Sequence, residues 1–276
     1  MSGSAHDDYS RVDPGAKVEA FRATGRGTAR IGYPIRLTRT VLATRELVTP
    51  SMLRLTLRGP ELAHFETHAA DDHVKVVFAQ PDGTRTDPVP DASGALTWPR
   101  PLPPSRKYTV RRFDAAAGEL DLDVVLHPGG LASEWAVRAE VGEEVVVAGP
   151  PGAKVFAHTY GHYVLVADPT GLPAVARWLE ESPADVSADV VLDVDHEHER
   201  GYPLAARAGV RVQWFDRADG SRAADVVAGL ELPADTFLFA AGEAGDVRPL
   251  RRWARERGID ALVTGYWKRG VVEFDE

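Results

Sequence analysis

One short stretch of the chain carries most of the residues suited to binding a charged aromatic ligand. It begins with Arg106, Tyr108 and Thr109 on an expected strand, and it ends with a Gly129-Gly130 turn before a predicted short helix. The strand offers an aromatic ring and a guanidinium, and small residues at a helix start let backbone N–H groups approach an anion. Together these groups are suited to holding a flavin ring and its pyrophosphate.

The residues around this stretch are predicted to form short strands separated by turns. Apolar and polar residues alternate in SMLRLTLRG, HVKVVFAQ, ALTWP, KYTVRRFD and ELDLDVVLH, and Pro, Gly and Asp mark the breaks. This spacing predicts a small antiparallel β-barrel over residues 31–152. Residues 1–30, rich in Gly, Ser, Ala and charge, are predicted to form a flexible N-terminal tail.

After residue 152 the pattern changes to strands that alternate with helices. The predicted strands are HYVLVAD, ADVVLDVD, VRVQWFD, TFLFAAGE and ALVTGYW, and the predicted helices are LPAVARWLEE, PLAARA, AADVVAGL and VRPLRRWARERG. This order predicts an α/β nucleotide-binding domain with a parallel sheet over residues 153–276. Ligands bind at the carboxyl ends of such strands, where residues 168–171 and 241–245 lie.

Composition argues against several classes of protein. A net charge of −9 disfavours a nucleic-acid binder, and no apolar run approaches the ~18 residues of a membrane span. The chain has no cysteine, so it supplies no disulfide, thiolate or iron–sulfur ligand. Its N-terminus lacks the basic and apolar regions of a secretory signal. We therefore predict a cytoplasmic protein whose redox chemistry comes from a bound cofactor.

Several segments, in a fixed order, carry a family resemblance: DDHVKVVF (71–78), RKYTVR (106–111), DVVLHPGGLASEWA (123–136), ADPTGLPAVARWLE (167–180), AGEAGDVRPLRR (241–252) and GYWKRG (265–270). The chain resembles the siderophore-interacting protein family of flavin-dependent ferric-siderophore reductases, within the ferredoxin-reductase-like superfamily. The resemblance implies an FAD-binding barrel, a domain that binds NADH or NADPH, and reduction of chelated Fe(III) that releases iron.

The chain departs from the family pattern in two turns. Pro128 follows His127 where glycine is usual, and Leu131 stands where relatives usually carry proline. In the second domain, Pro169 and Gly171 replace the commoner Glu and Ala. The first pair of changes bears on the phosphate turn, and the second pair bears on nicotinamide access. The sequence therefore leaves NADH, NADPH or a ferredoxin-like carrier open as the electron donor.

The resemblance assigns roles to individual residues. Arg106 would pair with the FAD phosphates, Tyr108 would lie against the isoalloxazine, and Thr109 would bond near its N5 atom. His127 either binds the cofactor or is structural, Trp267 either covers the flavin or only packs, and Ser133 is either part of the phosphate turn or a helix cap. The predicted FAD-binding set is Arg106, Tyr108, Thr109, Val125, Leu126, His127, Gly129, Gly130, Ala132, Ser133 and Trp267.

Asp168, Thr170, Gly242 and Glu243 are predicted to contact the nicotinamide nucleotide. Carboxylates in the run 193–199 would repel a 2′-phosphate, whereas Arg217 and Arg222 could hold one. That run is not a zinc protease motif, because Arg200 stands where the second histidine is needed. We predict a solvated loop there and no metal site.

The predicted substrate is a ferric siderophore, and Lys75, Arg111, Arg112 and Lys268 are candidate contacts for it, each of which could instead be a surface charge. Two alternatives remain open. One is a general flavin reductase or electron-transfer protein that uses a ferredoxin-like partner. The other is a non-catalytic siderophore-binding protein without cofactor.

Overall fold

The computed structural model describes residues 7–80, 82–91, 95–217, 220 and 222–271. Contacts divide the chain into two compact units. The first comprises the chain up to Val18 and residues Ala29–Val155, and the second comprises Glu19–Thr28 and the chain from Phe156. The break after Val155 lies close to the predicted boundary at residue 152.

The predicted N-terminal tail is wrong for the residues that the structure describes from position 14 onward. Pro14–Thr24 form helix α1, and Thr28–Gly32 form strand β1. Asp13 accepts a hydrogen bond from the backbone N–H of Ala16 at 3.3 Å, and a proline at the first helical position favours a helix start. Val18 and Phe21 lie about one turn apart and are buried. Residues 1–6 of the predicted tail lie outside the described residues.

The first unit is a closed antiparallel barrel, as predicted. Its strands after β1 are β2 (Leu37–Thr49), β3 (Met52–Arg58), β4 (His73–Val77), β5 (Val89–Pro90), β6 (Leu96–Thr97), β7 (Ser105–Asp114), β8 (Glu119–Val125), β9 (Glu144–Ala148) and β10 (Gly152–Phe156). The barrel closes in the order β2-β3-β8-β7-β4-β9. Helix α2 (Leu131–Arg138) lies between β8 and β9 in the chain.

Alternating side chains explain why these segments form a barrel. In β3, Leu53, Leu55 and Leu57 are buried, while Arg54 and Thr56 between them are partly exposed. The buried leucines join one apolar cluster with inward-facing residues of β4, β8 and β9. Full burial of each such side chain contributes roughly 1.5–3 kcal/mol to stability. This burial determines which face of each strand points into the barrel.

The outer face of β3 and β8 fixes their register. Arg54 stands directly opposite Asp123 and donates two hydrogen bonds to its carboxylate, at 2.7 and 2.8 Å. Thr56 stands opposite Asp121 and donates to it at 2.8 Å. A slip of one residue would move these pairs to the apolar face, so the polar partners and the core specify the same alignment.

The second unit is a parallel sheet with crossover helices, as predicted. Its elements are β11 (His162–Ala167), α3 (Leu172–Glu181), β12 (Ala188–Val194), β13 (Val210–Asp216), α4 (Ala223–Ala228), β14 (Thr236–Glu243), α5 (Ala244–Glu256) and β15 (Asp260–Trp267). The strand order is β13-β12-β11-β14-β15. Every residue of β11 is buried, which is typical of a central parallel strand covered on both faces.

The helix predicted for PLAARA is absent, because residues 203–208 have no regular structure. Arg207 in this segment donates to the carbonyl of Leu179 at 2.5 Å and to the hydroxyl of Ser182 at 2.8 Å. These bonds attach the segment to the end of α3, and this contact overrides the local helix propensity. Within the described residues, no helix combines the length and apolar character needed to cross a membrane.

Candidate functional site

Within the closed barrel, the pairing of β7 with β8 ends beside the predicted flavin residues, and we refer to this point as the β7–β8 opening. The two strands pair from Asp114 opposite Glu119 to Val110 opposite Leu122. Beyond this pair, residues 105–109 of β7 pair with β4, and residues 123–125 of β8 pair with β3. Tyr108 itself stands opposite Val74 of β4, so a neighbouring strand occupies one edge of this segment.

The side chains at this opening lie on two faces of β7. Arg106 and Tyr108 share one face, and Thr109 lies on the other because strand side chains alternate. Tyr108 is half-buried and packs against the barrel core. Burial raises the pKa of Tyr108 well above its ordinary value, although nearby Arg106 acts in the opposite direction. The phenol of Tyr108 is therefore neutral at physiological pH.

The turn between β8 and α2 is shaped for close approach of the backbone to a ligand. Gly129 has a φ of +75°, and a Cβ atom there would meet nothing within 4 Å. At Gly130, by contrast, a Cβ atom would overlap the ring of His127. The hydroxyl of Ser133 accepts the backbone N–H of His127 at 2.9 Å, so Ser133 ties the turn together and does not cap the helix. Gly130 occupies the N-cap position.

The start of α2 is a donor site for an anion. The N–H groups in the first turn of any α-helix have no intrahelical acceptor, and the helix dipole favours negative charge there. In α2 no side chain caps these groups. An open surface depression of about 440 Å³ lies beside the turn, lined by Leu126, His127, Pro128, Ser133, Glu134, Val137 and Arg138. The glycines and the uncapped N–H groups fit the pyrophosphate of FAD.

The predicted cations in the barrel lie in different surroundings. Lys75 is half-buried, and its Nζ atom lies 5.0 Å from the centroid of the Trp98 ring. Arg111 is buried. Arg112 forms ion pairs with Asp121 at 2.8 Å and with Glu119, and these pairs lie in the polar outer face described above. The carboxylates of the chain engage Arg112, and the substrate contact predicted for Lys75 stays a prediction.

The four residues predicted to contact nicotinamide meet at one edge of the parallel sheet. The chain reverses its direction of travel across the sheet at β11, with β12 on one side and β14 on the other. Asp168 follows β11, and Gly242 and Glu243 end β14. A Cβ atom at Gly242 would lie 2.8 Å from the Asp168 carboxyl carbon, so only glycine permits this contact. This edge is the usual ligand crevice of such sheets.

Asp168 is buried and fully occupied by donors from the chain. Its Oδ1 atom accepts the backbone N–H and hydroxyl of Thr170, at 2.8 and 2.5 Å. Its Oδ2 atom accepts the backbone N–H of Glu243 and the Nε1–H of Trp267, both at 2.8 Å. Arg217 also donates to Oδ2, at 3.3 Å. Asp168 therefore holds neighbouring elements together and offers little capacity to a ligand.

Glu243 is the second carboxylate in this crevice with an internal role. It accepts the backbone N–H of Asp246 at 2.9 Å and so caps α5, and it accepts the backbone N–H of Arg269 at 2.9 Å. Burial opposes its charge, but the N–H groups of Arg269, Asp246 and Gly245 lower the pKa of Glu243 below its ordinary value. The charged form is thus the one that the fold stabilises.

Arg217 neutralises this acidic crevice. Its side chain is buried and forms ion pairs with Asp246 at 2.7 Å, Asp168 at 3.3 Å and Asp195 at 3.6 Å. Burial acts to lower the pKa of Arg217, but the surrounding carboxylates raise it overall. About 10 Å³ of space remains beside these groups. The guanidinium is committed to carboxylates, which removes Arg217 as a residue for a 2′-phosphate, whereas Arg222 is exposed.

Trp267 and Lys268 lie in the second unit, at and just after the end of β15. The half-exposed indole of Trp267 is oriented by its hydrogen bond to Asp168, and the guanidinium carbons of Arg217 and Arg269 lie 5.9 and 5.7 Å from its ring centroid. Lys268 is exposed. The predicted contacts of Trp267 with FAD and of Lys268 with substrate stay predictions.

The histidine-containing run after β12 is only partly a solvated loop. Residues Glu197–Gly201 form a short 3₁₀ helix. Glu199 is buried and accepts the backbone N–H groups of Asp195 at 2.7 Å and His196 at 3.1 Å, so the prediction of a solvated loop is wrong for this residue. Within the described ranges, no group of His, Asp and Glu side chains is arranged to hold a metal ion.

The sequence reasoning missed two residues that the structure places at these sites. Asp246 pairs with Arg217, and its position three residues after Glu243, at a helix start, was an available signal. Trp98 lies beside Lys75, but its segment was interpreted only as a strand. Nothing in the local pattern of Trp98 distinguishes it from an ordinary strand residue.

Comparisons with known proteins agree with this architecture. A family model described as "Siderophore-interacting FAD-binding domain" matches residues 40–154, and one described as "Siderophore-interacting protein" matches residues 160–270. An NADPH-dependent ferric-chelate reductase of Escherichia coli is 34% identical over 253 residues, covering 88% of this chain and 98% of that protein. The ferric vibriobactin reductase ViuB of Vibrio cholerae is 29% identical over 245 residues, covering 83% of this chain and 88% of that protein.

A solved structure shows the same fold. The crystal structure of a siderophore utilization protein from T. fusca matches with a TM-score of 0.84 and 34% identity. The match covers 90% of this chain and 98% of that chain. Both units of the present structure therefore have counterparts in one experimentally determined molecule.

Proposed function

The chain belongs to the siderophore-interacting protein family, and on that premise we propose that it is an FAD-dependent reductase of ferric siderophores. Electrons come from NADPH, the donor named for the Escherichia coli relative. The reduced iron leaves its chelate. Relatives named as ferric-chelate and ferric vibriobactin reductases support the same activity here.

The observation that carries this function is the uncapped turn between β8 and α2. Glycines at positions 129 and 130 and the uncapped N–H groups at the start of α2, beside an open surface depression of about 440 Å³, form a site for an anionic cofactor group. The β7–β8 opening next to Val125 and Leu126 supplies an aromatic face at Tyr108. No other chemistry proposed for the chain uses all of these features together.

Bound FAD supplies the redox chemistry, because it accepts a hydride from a reduced nicotinamide and donates single electrons to chelated Fe(III). The protein's own residues bind and orient. The N–H groups from Gly129 to Ser133 hold the pyrophosphate, and Arg106 adds a charged donor to the phosphates. Tyr108 would pack against the isoalloxazine, and Thr109 would bond near its N5 atom. No protein acid or base is required for electron transfer.

We infer that the nicotinamide nucleotide enters the crevice at the ends of β11 and β14. Thr170 and the main chain at Gly242 form its wall. Asp168 and Glu243 act as positioning residues, since their oxygens already accept donors from the chain. The exposed Arg222 remains a candidate for a phosphate contact, whereas the buried Arg217 does not. We place the reaction in the cytoplasm, where reduced nicotinamide nucleotides are supplied.

A spectroscopic experiment tests this function. The purified protein is loaded with FAD and mixed anaerobically with NADPH or NADH, and a ferric chelate with a colorimetric Fe(II) trap is added. Bleaching of the flavin absorbance by the nucleotide, followed by its return and by Fe(II) formation when the chelate is added, is expected. A protein that takes up no flavin would refute the proposal. Flavin that is reduced but transfers electrons only to a ferredoxin-like protein would favour the electron-carrier alternative.

A further inference from the structure

The parallel sheet of the second unit has two edge strands, which are covered to different extents. β13 lies at one edge and β15 at the other. In β15, residues 262–265 are buried in succession, whereas no residue of β13 is buried. Among the strands of the described ranges, β13 pairs with β12 and with no other. One edge of the sheet is thus open, and such an edge presents main-chain groups that can pair with another chain.

Two hydrogen bonds at the ends of β13 show which of its main-chain groups face that open edge. The carbonyl of Gly209 accepts the first N–H of β12 at 2.9 Å, and the N–H of Arg217 donates to the last carbonyl of β12 at 2.8 Å. All seven residues of β13 pair with β12 in one register, and main-chain groups alternate in direction along a strand. The odd-numbered residues therefore direct their main-chain groups to β12. Val212 and Trp214 direct their N–H and C=O groups to the open edge.

The residues of β13 do not protect this edge. Its sequence, VRVQWFD, has no proline, glycine or lysine, and its register with β12 has no bulge. Such residues and bulges are features with which proteins commonly block pairing at an open edge. Val212, Trp214 and Phe215 are each half-buried, so apolar surface remains exposed along the strand. An apolar edge of this kind is suited to the addition of another strand.

One antiparallel register makes β13 complementary to a second copy of itself. If two copies of the strand cross at Gln213, Val212 of each copy stands opposite Trp214 of the other. Opposite residues that direct their main-chain groups at each other exchange two hydrogen bonds in an antiparallel pair. The crossing contains two such pairs, so every outward N–H and C=O group of Val212 and Trp214 is satisfied.

The side chains also match in this register. Val212 beside Trp214 is a β-branched–aromatic pair, which stabilises neighbouring strands. The antiparallel direction brings the strand end that carries Arg211 beside the end that carries Asp216 of the other copy. Arg211 pairs with Asp189 of its own chain, yet its side chain is 67% exposed, so positive charge remains accessible there. A parallel alignment would instead bring like charges together at each end.

We propose that β13 is a dimerisation strand, at which two copies of this chain pair about a twofold axis through Gln213. The two five-stranded sheets then continue into one another. Because both copies use the same edge, association ends at the dimer. This inference goes beyond the proposed reductase function and does not depend on it.

Charge substitution at the twofold axis tests the dimer and its register. The FAD-loaded protein is studied by analytical ultracentrifugation from about 2 to about 200 µM, and we expect the dimer to form as the concentration rises. Gln213 is half-buried and would face Gln213 of the other copy. Gln213→Lys and Gln213→Glu each place like charges opposite one another, so each should raise the dissociation constant at least about tenfold. An equal mixture of the two variants should form a heterodimer at least as tight as the dimer of the normal protein.

Ala234→Lys and Ala234→Glu are matched controls. Ala234 is exposed and precedes β14, which β11 and β12 separate from β13. Each control adds the same charge to the second unit away from the open edge, so the dissociation constant should change less than about twofold. The far-UV circular dichroism of every variant should match that of the normal protein, which shows that the fold is intact.

Amide hydrogen exchange supplies a second measurement, residue by residue. Above the dissociation constant, the N–H groups of Val212 and Trp214 should exchange at least about tenfold more slowly than in dilute protein, whereas those of Gln213 and Phe215 should be protected at both concentrations. A protein that stays monomeric across the range, or a dimer that Gln213→Lys does not weaken, would overturn the proposal. A mixture of the two charged variants that stays monomeric would also overturn it, because the two side chains would then not lie opposite each other.

Discussion

The two regions that the sequence assigned to cofactors satisfy their polar groups in opposite ways. At the β8–α2 turn of the first unit, no side chain caps the helix start, and an open surface depression of about 440 Å³ lies beside it. At the β11–β14 edge of the second unit, Asp168 and Glu243 accept donors from the chain itself and about 10 Å³ is left between the groups. The first region has backbone N–H donors that no side chain caps. In the second region, the carboxylates already accept hydrogen bonds from the chain.

On the proposed function, this difference would separate a site for a resident cofactor from a site for a nucleotide that binds and leaves. A preformed set of N–H donors loses little freedom when an anion binds, so the cofactor is held without rearrangement. The nucleotide crevice is instead a rigid wall whose carboxylates orient Trp267 and the chain at Arg269. A nucleotide that binds there meets fixed geometry and few strong polar contacts, which suits repeated association and release.

The largest effect is expected for Asp168→Ala in the crevice. The substitution leaves the buried Arg217 and the Trp267 N–H without their shared acceptor. Breaking one partner of a buried ion pair costs roughly 3–5 kcal/mol, measured here as a loss in the free energy of unfolding in urea. Glu256→Ala is the control, because its pair with Arg252 is more than half exposed on each side and should contribute about 1 kcal/mol or less. Equal losses in the two variants would mean that the crevice network is not structural.

Gly130→Ala should weaken FAD binding at the β8–α2 turn without unfolding the barrel. The new methyl group would overlap the His127 ring and displace the turn. Overpacking of this kind costs about 1–3 kcal/mol, so we expect FAD to bind at least about tenfold more weakly in a fluorescence titration. Adding His127→Ala removes the overlapping ring and should recover part of the affinity. No recovery in the double variant would show that the clash is not the cause.

Arg106→Ala should weaken FAD binding by a smaller factor. A hydrogen bond to a charged group contributes about 1.5–3 kcal/mol, and the partial exposure of Arg106 places the effect near the lower limit. The expected increase in the dissociation constant is about tenfold. Arg58→Ala, which removes an exposed arginine on β3, is the control and should leave flavin affinity unaltered. Unchanged affinity in Arg106→Ala would remove this residue from the phosphate site.

Glu243→Gln should have the smallest effect. Its effect on the free energy of unfolding should depend on pH. Because the folded protein holds the pKa of Glu243 below its ordinary value of 4.5, the charged form stabilises the fold above that pH, and this contribution is lost as pH falls through the lower folded value. The difference in unfolding free energy between the normal protein and the variant should therefore shrink on acidification below 4.5. A difference that is constant across this range would contradict the assignment.

Much of the fold was predictable because strands and helices repeat with different periods. Leu53, Leu55 and Leu57 alternate with polar residues, and the five apolar strands of the sheet alternate with helices, so both units were identified from pattern alone. Helix α1 was missed because its apolar side chains are few, although Asp13 and Pro14 form a start signal. PLAARA has helix-forming residues but is fixed by the bonds of Arg207.

The candidate sites were predictable in location but not in detail. The glycine turn and the strand ends were found because small residues and strand termini are visible in a sequence. The partners of Arg217 were not, since Asp168, Asp195 and Asp246 are brought together only by the sheet topology. For the same reason the sequence could not show that Asp168 and Glu243 bind the chain itself, or that Lys75 lies beside Trp98.

The central claim is that the first unit holds FAD at the β8–α2 turn and the β7–β8 opening. A crystal structure of the protein with FAD tests it most directly. We expect the pyrophosphate at the backbone N–H groups between Gly129 and Ser133, and the isoalloxazine against Tyr108. A structure with the pyrophosphate bound elsewhere, or with Tyr108 away from the flavin ring, would contradict the account.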